Sequence, residues 1–333
     1  MDVAINLSLL AIGFVMLIKG ADFLVNGASS LAKRFNVSDI AIGLTIVAMG
    51  TSAPELVINI ISGAKPDPGM HGIIFGNIIG SNIFNLFLIL GVAAIIYPIT
   101  VQKNSLWKEV PYSLVITFVF FVLLNDSMFR GTETNMMTPL DGVIMLVMFG
   151  LFLTYIFLNM RRSGDIEELE DIKIYGSLRT TLMIIGGMVG LAAGGKLIVD
   201  SAISISEVIG IDKKLVGLTI LAAGTSLPEL ATTAVAAFHK KSDIAVGNIV
   251  GSNIFNILLV LGLTAVTHGP LQYDTILNTD LYLVMLGTFM LFIFMFTFNK
   301  YKIDRSEGVV YLIGFVAYMA YLLMREGIVP SFF

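Results

Sequence analysis

Gly50-Thr51-Ser52-Ala53-Pro54-Glu55 and Gly224-Thr225-Ser226-Leu227-Pro228-Glu229 lie 174 positions apart in a chain of 333 residues and are nearly the same hexapeptide. Each sits inside a long apolar segment that it interrupts with a proline, two hydroxyls and a carboxylic acid. A charged side chain at the bilayer centre costs about 2.5–3.5 kcal/mol on insertion scales, so the two glutamates together cost roughly 5–7 kcal/mol. A chain that carries such a cost twice, in matched places, points to function, and the remaining sequence reads as scaffolding for these stretches.

The surrounding composition sets the class. Hydrophobic residues make up 56% of the chain and charged residues 13%, with a mean hydropathy of +0.89. Soluble domains carry about 25% charged residues, so the chain reads as an all-α polytopic membrane protein. A net charge of −4 without a basic patch implies no nucleic-acid partner, and the lipid bilayer is the partner implied. The absence of cysteine removes disulfides, thiolate metal sites and cysteine nucleophiles. Met1-Asp2-Val3 lacks the basic start of a cleavable signal peptide, so the first apolar segment is expected to remain as a membrane helix.

Spans of about 20 apolar residues are needed to cross the hydrocarbon core. Apolar runs between polar breaks predict ten transmembrane helices at about 4–27, 39–63, 71–97, 109–125, 139–160, 180–202, 215–237, 243–267, 280–298 and 307–324. The second, third, seventh and eighth are rich in Gly, Ser, Asn and Thr and are expected to face protein or water. With the N-terminus outside, the cytoplasmic loops hold Lys33, Arg34, Lys103, Lys108, Arg161, Arg162, Lys173, Arg179, Lys240, Lys241, Lys300, Lys302 and Arg305. The outer loops then hold Lys65, Arg130, Lys213, Lys214 and Arg325. That bias obeys the positive-inside rule and predicts both termini outside. The run from Arg161 to Arg179, with Asp165, Glu167, Glu168, Glu170 and Asp171, reads as a solvated cytoplasmic linker.

The repeat extends beyond the hexapeptides. At the same offset Gly43-Leu44-Thr45-Ile46 meets Gly217-Leu218-Thr219-Ile220, and Gly20 meets Gly194. At an offset of 171, Gly76-Asn77-Ile78-Ile79-Gly80-Ser81-Asn82-Ile83-Phe84-Asn85 meets a copy over 247–256 with one conservative swap, Ile79 for Val250. Residues 1–160 and 180–333 therefore read as two five-helix repeats joined by the linker 161–179. An odd number of spans per repeat inverts the second copy, the arrangement of many secondary transporters with a midplane site.

The motifs supply oxygen. Pro54 and Pro228 lack an N–H and clash with the carbonyl four residues back, that of Gly50 or Gly224, so freed carbonyls are expected there. Thr51 and Glu55 share a helix face if the helix resumes, with Ser52 adjacent; Thr225, Ser226 and Glu229 match them. Asn77, Ser81 and Asn85 form one polar stripe on an apolar helix, and Asn248, Ser252 and Asn256 form its copy. Gly76 with Gly80, and Gly247 with Gly251, allow neighbouring backbones to approach. Carboxylate, hydroxyl, amide and carbonyl oxygens form the ligand set of Ca²⁺ or Na⁺ rather than Zn²⁺ or Cu²⁺. The alternative, in which Glu55 and Glu229 are protonated structural acids and the Ser and Asn residues are glue, does not need a proline-broken acid in both halves. Asn82 and Asn253, off the main stripe, are read as interhelical glue. Lys19 with Asp22, and Lys196 with Asp200, read as local ion pairs or snorkelling side chains. His71, His239 and His268 lie in loops or at helix ends, Trp107 reads as an interface anchor, and the segment from Met285 to Phe298 as lipid-facing scaffold.

With these four blocks in this order, the sequence resembles the cation/Ca²⁺ exchanger superfamily, in particular its prokaryotic Na⁺/Ca²⁺ exchanger-like members. The resemblance spans the chain and implies that Glu55 and Glu229 are central ligands shared between ion sites. It implies that Thr51, Ser52, Thr225 and Ser226 add hydroxyl or carbonyl oxygens and that the Ala48 and Ala222 carbonyls cap Na⁺ sites. Ser81, Asn85, Ser252 and Asn256 complete the cage, and the first and sixth helices slide as a pair to give alternating access. The pattern departs from related exchangers at Asn256, where aspartate is common; with Asn85 also neutral, a K⁺ requirement is not implied. Two glutamates balance one Ca²⁺ and leave three Na⁺ at +1. The linker lacks the large regulatory domain of animal exchangers. The expectation is an antiporter of the plasma (inner) membrane, with Na⁺ and Ca²⁺ as substrates, no cofactor and no protein partner. H⁺/Ca²⁺ antiport through the same glutamates is the nearest alternative. A cation channel shares the oxygen-lined path but not the logic of inverted, broken helices. A hydrolase using Ser52 or Ser226 lacks an intramembrane histidine.

Overall fold

The computed structural model describes residues 3–64, 69–101, 107–129, 131, 134–159, 174–209, 222–297 and 300–325. Its main helices, in chain order, are α1 (Val3–Phe35), α2 (Asp39–Thr51), α3 (Ala53–Gly63), α4 (Met70–Ile96), α5 (Glu109–Leu124) and α6 (Pro139–Asn159). They continue with α7 (Ser177–Ile209), α8 (Ala222–Thr225), α9 (Leu227–Phe238), α10 (Ser242–His268), α11 (Asn278–Phe294) and α12 (Arg305–Arg325). The molecule is an all-helical membrane protein. Among the described residues seven helices are long and apolar enough to cross a bilayer, and α2 with α3 raises the number to eight if the bent pair is one span. The ten spans expected from apolar runs are therefore not all reached by length. α5 has 16 residues and α9 has 12, and the first part of the expected seventh span lies outside the described residues, as does most of the linker 161–179.

α1 and α7 are longer than expected. Nothing in Asn26, Ser29, Ser30, Lys33 or Arg34 breaks a helix, so α1 runs for 33 residues until Asn36 turns the chain with a φ of 52°. At 1.5 Å per residue this is about 50 Å, longer than the ~30 Å core it crosses. The two helices lie antiparallel, as the glycine contacts show: Gly13 meets Gly194, Gly20 meets Gly187 and Gly27 meets Ile184. A Cβ on Gly20 would lie 2.8 Å from the Leu191 nitrogen, so only glycine lets these backbones touch.

The second expected span is broken rather than continuous. Ser52, with φ −82° and ψ 6°, ends α2, and α3 leaves at 45°. Pro54 falls in the first turn of α3, where the missing N–H is one the helix would leave unpaired anyway. Pro228 opens α9 in the same way after Ser226. The prolines thus start new helices instead of kinking old ones.

α4 and α10 form the centre. Their spans are 78% and 83% buried, against 28–33% for the other long spans, which marks them as protein-enclosed. They cross antiparallel, Asn82 opposite Asn256 and Asn85 opposite Asn253. Each widens into a π-helical segment at the matching place, Phe84–Ile89 and Phe255–Leu261. Gly247 and Gly251 press against Gly43 and Ala48 of α2, as the small-residue spacing predicts. A Cβ on Gly76 or Gly80 would meet nothing within 4 Å among the described residues. Residues 217–221, the copy of the α2 stretch, lie outside them. Two short ribbons tie the halves: β1 (Ile99–Thr100) pairs antiparallel with β4 (Lys302–Ile303), and β2 (Met136–Met137) with β3 (Leu271–Gln272). α11 buries Val284, Gly287, Thr288 and Leu291 and exposes Leu286, Phe289 and Ile293, so only one of its faces is free for lipid rather than the whole helix.

Candidate cation site

Glu55 and Glu229 each occupy the first turn of a helix that begins inside the protein, α3 and α9. There the unpaired N–H groups and the positive end of the helix dipole favour a carboxylate. Both side chains are fully buried. Ser81 Oγ donates to Glu55 Oε1 at 3.1 Å, and Ser52 Oγ donates to Glu229 Oε1 at 3.0 Å. The second oxygen of each carboxylate, Oε2, has no hydrogen-bond partner among the described residues.

The hydroxyls do not serve their own glutamates. The break at Ser52 removes the shared face expected of Thr51 and Glu55, and Thr51 turns instead towards α10 and the Glu229 side. Thr51 Oγ1 is within donating reach of Asn248 Oδ1 (3.1 Å) and Ala48 O (3.2 Å), with Ser252 Oγ at 3.5 Å. The Ala48 carbonyl also accepts from the Ser52 N–H at 2.9 Å, so the oxygen expected to cap an ion is engaged within its own turn. On the second copy the Ser226 N–H goes to Ala223 O at 3.2 Å. Ser226 Oγ meets Ser81 Oγ at 3.0 Å, while Thr225 faces Glu55, and no donor or acceptor among the described residues lies in hydrogen-bonding geometry with its hydroxyl.

The asparagine stripes face inward as read. Asn77 Nδ2 donates to Asn59 Oδ1 (2.7 Å) and reaches Glu55 O (3.4 Å). Asn248 Nδ2 donates to Thr233 Oγ1 (2.9 Å) and reaches Glu229 O (3.5 Å). Asn85 Nδ2 donates to Asn253 Oδ1 at 2.9 Å, and Asn256 Nδ2 donates to Asn82 Oδ1 at 3.0 Å and reaches Ser81 Oγ at 3.3 Å. The amide oxygens of Asn85 and Asn256 are buried without a partner among the described residues, like the Oε2 atoms of the glutamates. Unpaired buried acceptors cost free energy unless something positive meets them.

Asn59 and Thr233 were not singled out in the sequence, although they fall four residues after Glu55 and Glu229 on the same helices. That spacing was the available signal. Elsewhere, Lys196 pairs with Asp200 at 2.9 Å as expected, but Asp22 takes His239 Nε2 (2.8 Å) and Asn26 Nδ2 (3.0 Å) rather than pairing with Lys19. Asp22 and Asn26 face the end of α9, and that is the physical reason. His71 accepts from the Gln272 N–H, and half-exposed Trp107 packs edge-on against Phe292 at 5.5 Å.

Buried oxygen acceptors gathered between broken helices define an ion-handling membrane protein. A family model described as sodium/calcium exchanger protein matches residues 5–158 and 179–324, and the chain belongs to that family of membrane exchangers, not to an enzyme family. The sodium/calcium exchanger MaX1 of Methanosarcina acetivorans is 31% identical over 351 aligned positions, covering 96% of this chain and 99% of the relative. The inner membrane protein YrbG of Escherichia coli is 32% identical over 323 positions, covering 95% and 96%. A solved structure of the sodium-calcium exchanger NCX_Mj superposes with a TM-score of 0.81 at 30% identity, covering 96% of this chain and 99% of that one.

Proposed function

We propose that this chain exchanges Na⁺ for Ca²⁺ across the plasma membrane by alternating access, Na⁺ running inward and Ca²⁺ outward. The observation that carries the reading is the set of buried acceptors without donors among the described residues: Oε2 of Glu55 and Glu229 and Oδ1 of Asn85 and Asn256. Hard cations seek such oxygens. Thr51, Ser52, Thr225, Ser226, Ser81 and Ser252 complete the lining, with the Ala222 carbonyl as a further donor of electron density. The Ala48 carbonyl joins only when its own turn releases it. Both ions compete for the same two negative charges, so loading one excludes the other. If three Na⁺ exchange for one Ca²⁺, each cycle moves one charge, worth about 2.3 kcal/mol per 100 mV.

Ten helices in two inverted repeats, residues 1–160 and 180–333, with both termini outside, fit this reading. The antiparallel crossings of α1 with α7 and of α4 with α10, each a pair of repeat copies, support it. The glycine-lined α1–α7 pair is the unit we assign to sliding. The test is ⁴⁵Ca²⁺ uptake into proteoliposomes under an imposed Na⁺ gradient at fixed pH. Uptake that follows the Na⁺ gradient is expected; uptake indifferent to Na⁺ but driven by a pH step overturns Na⁺ coupling. Glu55→Gln and Glu229→Gln should each lower flux by more than about 100-fold, since removing one of two buried charges costs several kcal/mol of ion binding. Undiminished flux in both variants refutes the site.

A further inference from the structure

An amide is ambivalent towards a cation. Its oxygen attracts the ion and its NH₂ repels it, yet the two ends have nearly the same shape, so packing alone does not select between them. Asn85 and Asn256 stand where only the oxygen end is useful, and something must choose it. In the structure the choice is made from the opposite helix. Asn253 Oδ1, on α10, accepts the Asn85 NH₂ of α4 at 2.9 Å; Asn82 Oδ1, on α4, accepts the Asn256 NH₂ of α10 at 3.0 Å. Asn82 is itself fixed through its Nδ2, which reaches the Asn253 carbonyl at 3.4 Å. Turning either Asn85 or Asn256 over would set oxygen against oxygen in a fully buried place, where an unmatched pair is costly.

We propose that Asn82 and Asn253 are positioning residues that hold the amide oxygens of Asn85 and Asn256 towards the transported cation, each acting across the α4–α10 crossing on the other half of the site. This rests on the exchanger reading above and assigns a role to residues outside its ligand set. The crossed pairs let a neutral amide serve as a cation ligand, so the site keeps only the two charges of Glu55 and Glu229. They also explain the spacing of three between 82 and 85 and between 253 and 256: on helices crossing antiparallel, each orienting residue then lies opposite the partner's ligand.

The test uses a carboxylate, which has no wrong end. Ca²⁺ KM and maximal flux are measured in proteoliposomes for wild type, Asn82→Ala, Asn256→Asp and the double variant. Asn82→Ala should raise the Ca²⁺ KM about tenfold in the Asn256 background, the effect of one lost orienting hydrogen bond, and change maximal flux less. In the Asn256→Asp background the same change should alter KM within about twofold. The parallel set of Asn253→Ala with Asn85→Asp should behave alike and keeps the question open to measurement if one alanine variant does not fold. Equal KM penalties in both backgrounds, or none in the Asn256 background, overturn the positioning role and leave the exchanger reading intact. A wild-type protein that moves no Ca²⁺ defeats the exchanger reading and the positioning role with it.

Discussion

Thr51 and Thr225 hold the same place in the two hexapeptides but not in the hydrogen-bond network. The Thr51 hydroxyl is engaged by Asn248 and by its own turn at Ala48, whereas the buried Thr225 hydroxyl has no hydrogen-bond partner among the described residues. The Ser52 N–H closes an α-type turn onto Ala48, four residues back; the Ser226 N–H closes a tighter one onto Ala223, three residues back. Ser52 reaches Glu229 directly, while Ser226 reaches Glu55 only by way of Ser81. Nearly one sequence therefore stands in two arrangements within a single molecule, so the two arrangements differ little in intrinsic energy and tertiary context selects between them. If the copies are inverted as proposed, an exchange of arrangements would move the opening from one membrane face to the other. On the exchanger reading proposed above, the unlike halves would serve alternating access, and a rigid two-fold site would lack them.

The largest expected difference between the halves concerns the glycines that open the hexapeptides. A methyl on Gly50 would meet the end of Met188, with its Cγ and Sδ at 3.0 Å, and a methyl on Gly224 would meet Val199 Cγ2, with its Cβ at 3.5 Å. Both neighbours belong to α7, but methionine has three rotatable bonds to move with, and valine in a helix has essentially one χ1 rotamer. Gly224→Ala should therefore cost about 2–3 kcal/mol and Gly50→Ala less than about 1 kcal/mol, the range of overpacking with and without relief. Thermal unfolding in detergent reads the difference. Equal losses would mean that α7 seats both copies alike.

The threonines come next. Thr51→Val strands Asn248 Oδ1 in a buried place, at a cost of about 1–2 kcal/mol. Thr225→Val breaks no hydrogen bond among the described residues and should leave stability within about 0.5 kcal/mol. Flux should show the reverse order, because Thr225 offers an uncommitted oxygen beside Glu55 and Thr51 does not. Parallel stability losses with parallel flux losses would erase the distinction between an engaged and an available half.

How far these features were legible follows from how far a sequence reports one helix at a time. The hexapeptides, the breaks before Pro54 and Pro228 and the inward stripes of Asn77, Ser81 and Asn85 are all local signals, and they stand. The i, i+4 pairing of Thr51 with Glu55 is local too, but it presumes one helix where Ser52 ends it, and the 45° bend sends the hydroxyl to the other half. Asn82 and Asn253 look idle on their own helices because their partners lie on the crossing one. The lengths of α1 and α7 escaped a reading by hydropathy, since a helix ends at a backbone breaker and not at the edge of the lipid. α5, at 16 residues, shows the opposite case of an apolar run shorter than a bilayer.

The smallest difference lies on α1 and α7 themselves. Asp22 and Asn26 occupy the positions that Lys196 and Asp200 occupy in the second copy, and each set is joined at i, i+4. Lys196 and Asp200 are 76% and 56% exposed, a free surface pair worth about 0.3–0.5 kcal/mol. Asp22 instead takes His239, while Asn26 takes Lys241 at 3.3 Å, so this cluster ties α1 to the turn between α9 and α10. Burial lowers the pKa of Lys241, and the Asp39 and Asp22 carboxylates act to raise it again. Asp22→Asn removes one of those two charged supports and weakens the His239 contact, and should cost about 1 kcal/mol, roughly twice the effect of Lys196→Ala. Salt at 1 M, with a screening length near 3 Å, should abolish the Lys196 effect and leave part of the Asp22 effect, because Lys241 is the less exposed to solvent. Equal costs with equal salt sensitivity would make both clusters mere surface pairs and free α1 from the α9–α10 turn.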